Sequence, residues 1–167
     1  MQHGVAAASI VNCMPLKSGD RSPDFTLVDQ HGEKFHLSES IKRRKAPHLV
    51  YFYPKADTPG CTKQACGLRD IADQVGDTTI VGISPDPPSR QARFDEKYGL
   101  GFPLLSDEDH AVADAFGVWG ERSMYGKKYM GIVRSAFLID AKGRVANAWY
   151  KISPADTPER LLEALAS

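Results

Sequence analysis

Leu49-Val-Tyr-Phe-Tyr53 runs without a break into Pro54-Lys-Ala-Asp-Thr-Pro-Gly-Cys61-Thr-Lys-Gln-Ala-Cys66. The first five residues are apolar, aromatic and β-branched, which is the pattern of a buried strand. The Pro- and Gly-rich loop that follows ends the strand and opens a helix. Thr58 suits the N-cap and Pro59 the first helical position, where a missing N–H is no loss. The window Thr62 to Val75 continues the helix. Cys61 then falls in the first turn, where unpaired backbone N–H groups and the macrodipole favour negative charge. Thiols in such turns ionise below their ordinary value of about 8.5, so Cys61 is the better nucleophile of the pair.

Cys66 lies five residues further on. On one continuous helix the two Cα atoms are about 8.7 Å apart, beyond the roughly 4.4–6.8 Å that a disulfide spans. Either the helix unwinds locally before the sulfurs join, or Cys66 is a packing thiol that never bonds. The spacing departs from the C-x-x-C of dithiol exchangers, and there is no His or second Cys pair at zinc-ligand spacing, so no metal site is expected.

Working outward, Thr79 to Ser84 and Ser135 to Asp140 are further buried strands, with Ser89 to Tyr98 and Asp109 to Phe116 as helical windows between them. Strand and helix alternate, which argues for an α/β sheet with crossover connections. Arg144 to Tyr150 pairs with Ser135 to Asp140 across the Asp140-Ala-Lys-Gly143 turn, and a helix from Thr157 or Pro158 to Leu165 closes the chain. Phe25 to Val28 and Lys34 to Leu37 flank Asp29-Gln-His-Gly32 as an N-terminal hairpin. This is the thioredoxin-like order, with an added N-terminal hairpin and an insertion between Pro85 and Ile132. The Lys42-Arg43-Arg44-Lys45 run reads as a solvated loop, and Gly117, Gly120, Gly126 and Gly131 as a loop able to move.

Composition narrows the function classes. The 167 residues carry 21 Lys plus Arg and 21 Asp plus Glu, so no charge excess points to nucleic acid or an anionic membrane. No apolar run approaches the roughly 20 residues needed to span a bilayer. Val5 to Val11 is apolar but lacks the basic head and cleavage site of a secretory signal, and Asn12 spoils Ile10-Val11-Asn12-Cys13 as a lipid-attachment box. We expect residues 1–16 to be a variable extension and residues 17–167 one domain. Three cysteines, an odd number, make no disulfide scaffold and suit a reducing, cytoplasmic setting.

Pro54, Thr58 and Cys61 resemble the peroxiredoxin signature, a Pro, a Thr four residues on and a Cys three after that. With Gly60 and Thr62-Lys-Gln-Ala-Cys66-Gly-Leu-Arg-Asp70, the segment is similar to the bacterioferritin-comigratory-protein (PrxQ) subfamily. The likeness continues through Gly82-Ile-Ser-Pro-Asp86, Phe102-Pro-Leu-Leu-Ser-Asp107, Gly117-Val-Trp-Gly-Glu121 and Arg134-Ser-Ala-Phe-Leu-Ile-Asp140; Cys13 has no counterpart in it.

The resemblance implies a thiol peroxidase acting on hydrogen peroxide and organic hydroperoxides. In it Cys61 is the peroxidatic thiolate. Thr58, Arg134 and backbone N–H groups aim at the peroxide, and Pro54 shields the sulfur from water. Cys66 resolves the sulfenic acid as an intramolecular disulfide, and thioredoxin or a similar dithiol protein reduces it, with no metal or organic cofactor and with the chain a monomer. Ionising a thiol fully at neutral pH gains only about 30-fold, or about 2 kcal/mol, so the oriented donors must supply the rest. Gly67, beside Cys66, weakens the helix by up to about 1 kcal/mol and suits local unfolding. General disulfide exchange and a redox sensor whose disulfide reshapes the helix for a partner are the competing readings.

Overall fold

The computed structural model describes residues 15–167. The expected extension, with Cys13, therefore lies almost wholly outside the described residues. In chain order the elements are β1 (Thr26–Val28), β2 (Lys34–His36), α1 (Leu37–Arg44), β3 (His48–Phe52), α2 (Pro59–Asp70) and β4 (Thr79–Ser84). There follow α3 (Pro88–Tyr98), β5 (Leu104–Ser106), α4 (Ala111–Ala115), β6 (Trp119–Met124), β7 (Lys127–Ile132), β8 (Ser135–Ile139), β9 (Val145–Trp149) and α5 (Asp156–Ala166). Seven strands form one sheet in the order β2-β1-β5-β4-β3-β8-β9, and β6 and β7 form a separate pair.

β3 lies inside this sheet, parallel to β4 and antiparallel to β8, and all five of its residues are buried. Its period of two sorts the core. Leu49, Tyr51 and Tyr53 pack with Ala65 and Leu68 of α2, Phe94 of α3 and Leu161 of α5. Val50 and Phe52 face the opposite layer, with Leu37 and Ile41 of α1, Val112 of α4, Phe116 and Phe137. Burial on both faces explains why β3 reads as a continuous apolar run rather than an alternating one. The N-terminal hairpin forms as expected, Leu27 opposite Phe35.

Three expectations are corrected. The Lys42-Arg43-Arg44 run is the last turn of α1 and not a loop, and Lys45 closes that helix in the left-handed conformation. Cations there complement the negative end of the macrodipole, while Asp24 accepts the Ser38 backbone N–H at 2.9 Å at the other end. Of the glycine-rich stretch only Gly117 lies in a loop, the turn after α4, and the rest is the β6–β7 hairpin: Gly120 pairs with Gly131, and Gly126 sits in its turn. The helical window Thr62 to Val75 is divided, α2 ending at Asp70 and a short 3-10 turn covering Ala72–Gln74.

One buried histidine gives the fold a pH dependence. His48 is fully buried, with Nε2 2.7 Å from Ser40 Oγ and Nδ1 3.1 Å from the Ala46 carbonyl. Burial, with Arg43 and Arg44 adding to it, holds its pKa below the ordinary histidine value of 6.5. The unfolded chain therefore takes up a proton near pH 6.5 before the folded one does, so this contribution to stability is complete above about pH 6.5 and is lost as pH falls. Urea midpoints should drop between pH 7.5 and 5.5, and His48→Asn should flatten that slope. An equally steep slope in the variant would remove His48 as the cause.

Candidate active site

The carboxyl end of β3 delivers the chain into the Pro54–Thr58 loop, which is tied down from two sides. Asp86, at the end of β4, accepts the Ala56 N–H at 2.7 Å and the Ser84 hydroxyl at 2.7 Å. Ser84 in turn accepts from Gln91 of α3 at 2.9 Å, and Gln91 accepts from the buried Tyr53 hydroxyl. On the outer side Asp57, in the left-handed conformation at φ 60°, takes Lys97 Nζ at 3.0 Å and Tyr98 OH at 2.9 Å. Those two hydrogen bonds hold its carboxyl below the usual range.

Thr58 occupies the N-cap position with extended backbone, and Pro59 begins α2, both as read from the sequence. The hydroxyl does not cap the helix. It donates to the Lys55 carbonyl at 2.8 Å, within the loop. Pro54 is half-buried where the strand gives way to that loop.

Cys61 sits in the first turn of α2 and is 1% exposed, while Cys66, on the same unbroken helix, is half-buried. Both are free thiols. Arg134, just ahead of β8, reaches across: its Nη1 donates to Cys61 Sγ at 3.4 Å and to Gln64 Oε1 at 2.8 Å. The arginine backbone is fixed by the Ile152 N–H, which donates to its carbonyl at 3.0 Å. Gly60 clears the approach, since a Cβ there would stand 3.0 Å from Arg134 Nη2 and 3.5 Å from Pro154.

Gln64 is the residue that sequence reasoning missed. It is fully buried, and its amide nitrogen donates to Thr157 Oγ1 at 2.9 Å, which itself donates to the Ser153 carbonyl at 2.9 Å. A continuous chain of contacts thus runs from the Cys61 sulfur through Arg134 and Gln64 to the start of α5. Its sequence signal was the i,i+3 spacing from Cys61, which puts both side chains on one helix face. Beneath lie Tyr51 and Tyr53, whose phenols are pushed well above their ordinary value first by burial and also by the neighbouring Cys61. The sulfur therefore faces a low-dielectric floor on one side and a permanent cation on the other, an arrangement that strengthens electrostatic contacts.

Gly67 has a packing role beside the expected one. A Cβ at this position would lie 2.8 Å from Pro158 Cγ, so the glycine is where α2 and α5 approach. Gly67→Ala gains up to about 1 kcal/mol in helix propensity but overpacks against a stiff ring, at about 1–3 kcal/mol. The variant should unfold at lower denaturant than the parent. A higher midpoint would make helix weakening its main effect.

Among the described residues no group of three or more His, Cys, Asp or Glu is placed to hold a metal, and no helix is long and apolar enough to cross a membrane. A cleft of about 400 Å³ is lined by Arg21, Asp24, Leu37, Ile41, Lys42 and Lys142 and contains no part of the cysteine site.

The chain matches the AhpC/TSA family over residues 18–148. It is 53% identical to the Escherichia coli K12 peroxiredoxin Bcp over 137 residues, 81% of this chain and 86% of that one. Among solved structures, Mycobacterium tuberculosis peroxidoxin BcpB is 39% identical with a TM-score of 0.78, covering 90% of this chain and 97% of its own. The Xanthomonas campestris bacterioferritin comigratory protein, described for its alkyl peroxide reduction activity, is 34% identical with a TM-score of 0.78, covering 85% and 90%. A thioredoxin-like sheet carrying a helix-borne cysteine pair under an arginine thus has its relatives among enzymes of one kind, and the chain belongs to the AhpC/TSA family, as a peroxide-reducing peroxiredoxin of the Bcp group.

Proposed function

We propose that Cys61 is the peroxidatic cysteine, Cys66 the resolving one, and a thioredoxin-type dithiol protein the reductant. The observation that carries this reading is the Arg134 guanidinium at 3.4 Å from a buried sulfur, held there by Gln64. The Cys61 thiolate attacks one peroxide oxygen and the O–O bond breaks. Its electron pair leaves with the distal oxygen, which is protonated to water or an alcohol, and the sulfur becomes a sulfenic acid. Arg134 faces both the sulfur and the charge that develops on the leaving oxygen. Thr58 joins as a donor once its hydroxyl turns from the Lys55 carbonyl, and Pro54 limits water at the mouth. Hydrogen peroxide and, by likeness to the Xanthomonas protein, organic hydroperoxides are the substrates.

Resolution forms a Cys61–Cys66 bond and releases the sulfenic oxygen as water. Since both lie on α2, at about 8.7 Å between Cα atoms in regular geometry, the intervening turn unwinds. That motion must withdraw Gln64 from Arg134 and Thr157. The dithiol protein then attacks the disulfide, passes through a mixed disulfide and leaves oxidised, returning both thiols. A reducing cytoplasm keeps such a partner reduced, and a monomer suffices because one chain supplies both cysteines.

The test is a thiol count on reduced protein before and seconds after one equivalent of hydrogen peroxide. Loss of two thiols, restored by thioredoxin, supports the cycle; no fast loss would favour the redox-sensor reading instead.

A further inference from the structure

The β6–β7 hairpin projects from the fold as a sheet of its own. Its base is fixed. Ile132 is buried, Trp119 stacks on His110 with ring centroids 3.8 Å apart and planes 3° from parallel, and Arg122 donates to the Ile132 carbonyl. Its tip is a two-residue turn, Tyr125 and Gly126, both at positive φ, the twist that matches a tight hairpin. The outer half is bare: Met124 is 56% exposed, Tyr125 98%, Tyr129 42% and Met130 54%.

Single exposed hydrophobic side chains are ordinary. Here four lie within residues 124–130; by the ladder register Met124 and Tyr129 share one face of the hairpin, Tyr125 sits in its turn and Met130 is on the other face, so the first three mark an interaction surface. Methionine adapts to varied partner shapes and tyrosine contributes rigid contact area. On that face the hairpin adds Arg122 and Lys127 and no carboxylate, while Lys128 and Glu121 stand on the other face with Met130, in a chain whose total charges balance. Such a patch repels a second copy of itself and attracts an apolar surface bordered by carboxylates. Its place also matters. β7 ends two residues before Arg134, whose guanidinium touches Cys61, so the base of the hairpin adjoins the cysteine site.

We propose that this hairpin is the docking arm for the dithiol protein that reduces the Cys61–Cys66 disulfide, through an apolar contact of Met124, Tyr125 and Tyr129 flanked by Arg122 and Lys127. The inference rests on the reductant reading above.

The experiment compares the parent with two double variants, Met124→Ser with Tyr125→Ser, and Lys127→Glu with Lys128→Glu. Turnover of hydrogen peroxide is driven either by thioredoxin or by dithiothreitol. Both variants should lose at least about tenfold in kcat/KM for thioredoxin, with peroxide oxidation and dithiothreitol-driven turnover within about twofold of the parent. Added salt should slow the parent's reaction with thioredoxin and should not slow that of the charge-reversed variant, whose hairpin charge is inverted. Variants that keep the parent's kcat/KM for thioredoxin overturn the docking surface alone. A parent that turns over with dithiothreitol but not with thioredoxin overturns the reductant reading and the docking arm with it. Sedimentation showing a parent dimer that the serine variant disperses would assign the surface to self-association and overturn the proposal too.

Discussion

Cys61→Ser should abolish peroxide turnover, a fall of at least about 10³-fold, the scale seen when a nucleophile is removed from an enzyme whose machinery is otherwise intact. The exchange is nearly isosteric in a site only 1% exposed, and the serine oxygen still accepts from Arg134, so the fold should be kept. What vanishes is the anion: a hydroxyl stays protonated at neutral pH where a thiol can ionise. Cys66→Ser should behave differently. It should consume one peroxide per chain, then stop with a sulfenic acid that dimedone traps and mass spectrometry locates on Cys61. Peroxidase activity surviving in Cys61→Ser would move the chemistry to another residue, whereas sustained turnover in Cys66→Ser with dithiothreitol would show only that an external thiol can resolve.

Local patterns carried much of the architecture. The apolar run of β3, the Thr58-Pro59 helix start and the Asp140–Gly143 turn are signals confined to a few residues, and each formed where it was expected. α1 escaped because it is eight residues long, follows β2 directly and shows two buried aliphatic positions, Leu37 and Ile41, before its cations dominate the reading. The β6–β7 ladder escaped because glycines usually punctuate strands. Here Gly131 is a strand residue over which the Tyr129 ring lies, a Cβ being only 3.2 Å from that ring. In the site, two cysteines and a capped turn were visible together in one short segment. The partnership of Gln64 with Thr157 was not, because it joins residues 93 apart and exists only once α5 has packed against α2.

Arg134→Lys separates charge from geometry at that junction. Arginine presents a fork wide enough for one nitrogen to serve Cys61 Sγ and Gln64 Oε1 together, whereas lysine offers a compact ammonium on a flexible stem. Net charge is unchanged, so a site that needs only a nearby cation should lose little. A site that needs oriented donors along the breaking O–O bond should lose about 10²–10³-fold in the second-order rate of Cys61 oxidation, measured by peroxide competition. Leaving the buried Gln64 oxygen without its donor should also cost about 1–3 kcal/mol of stability. Gln64→Ala completes the comparison. It keeps the guanidinium but frees it sideways, so oxidation should slow less than in Arg134→Lys, and loss of the tie to Thr157 should lower the denaturant midpoint. If Arg134→Lys oxidises at the parent's rate while its stability falls, Arg134 is a strut between β8 and α2, and the donors that polarise the peroxide are the backbone N–H groups at the start of α2.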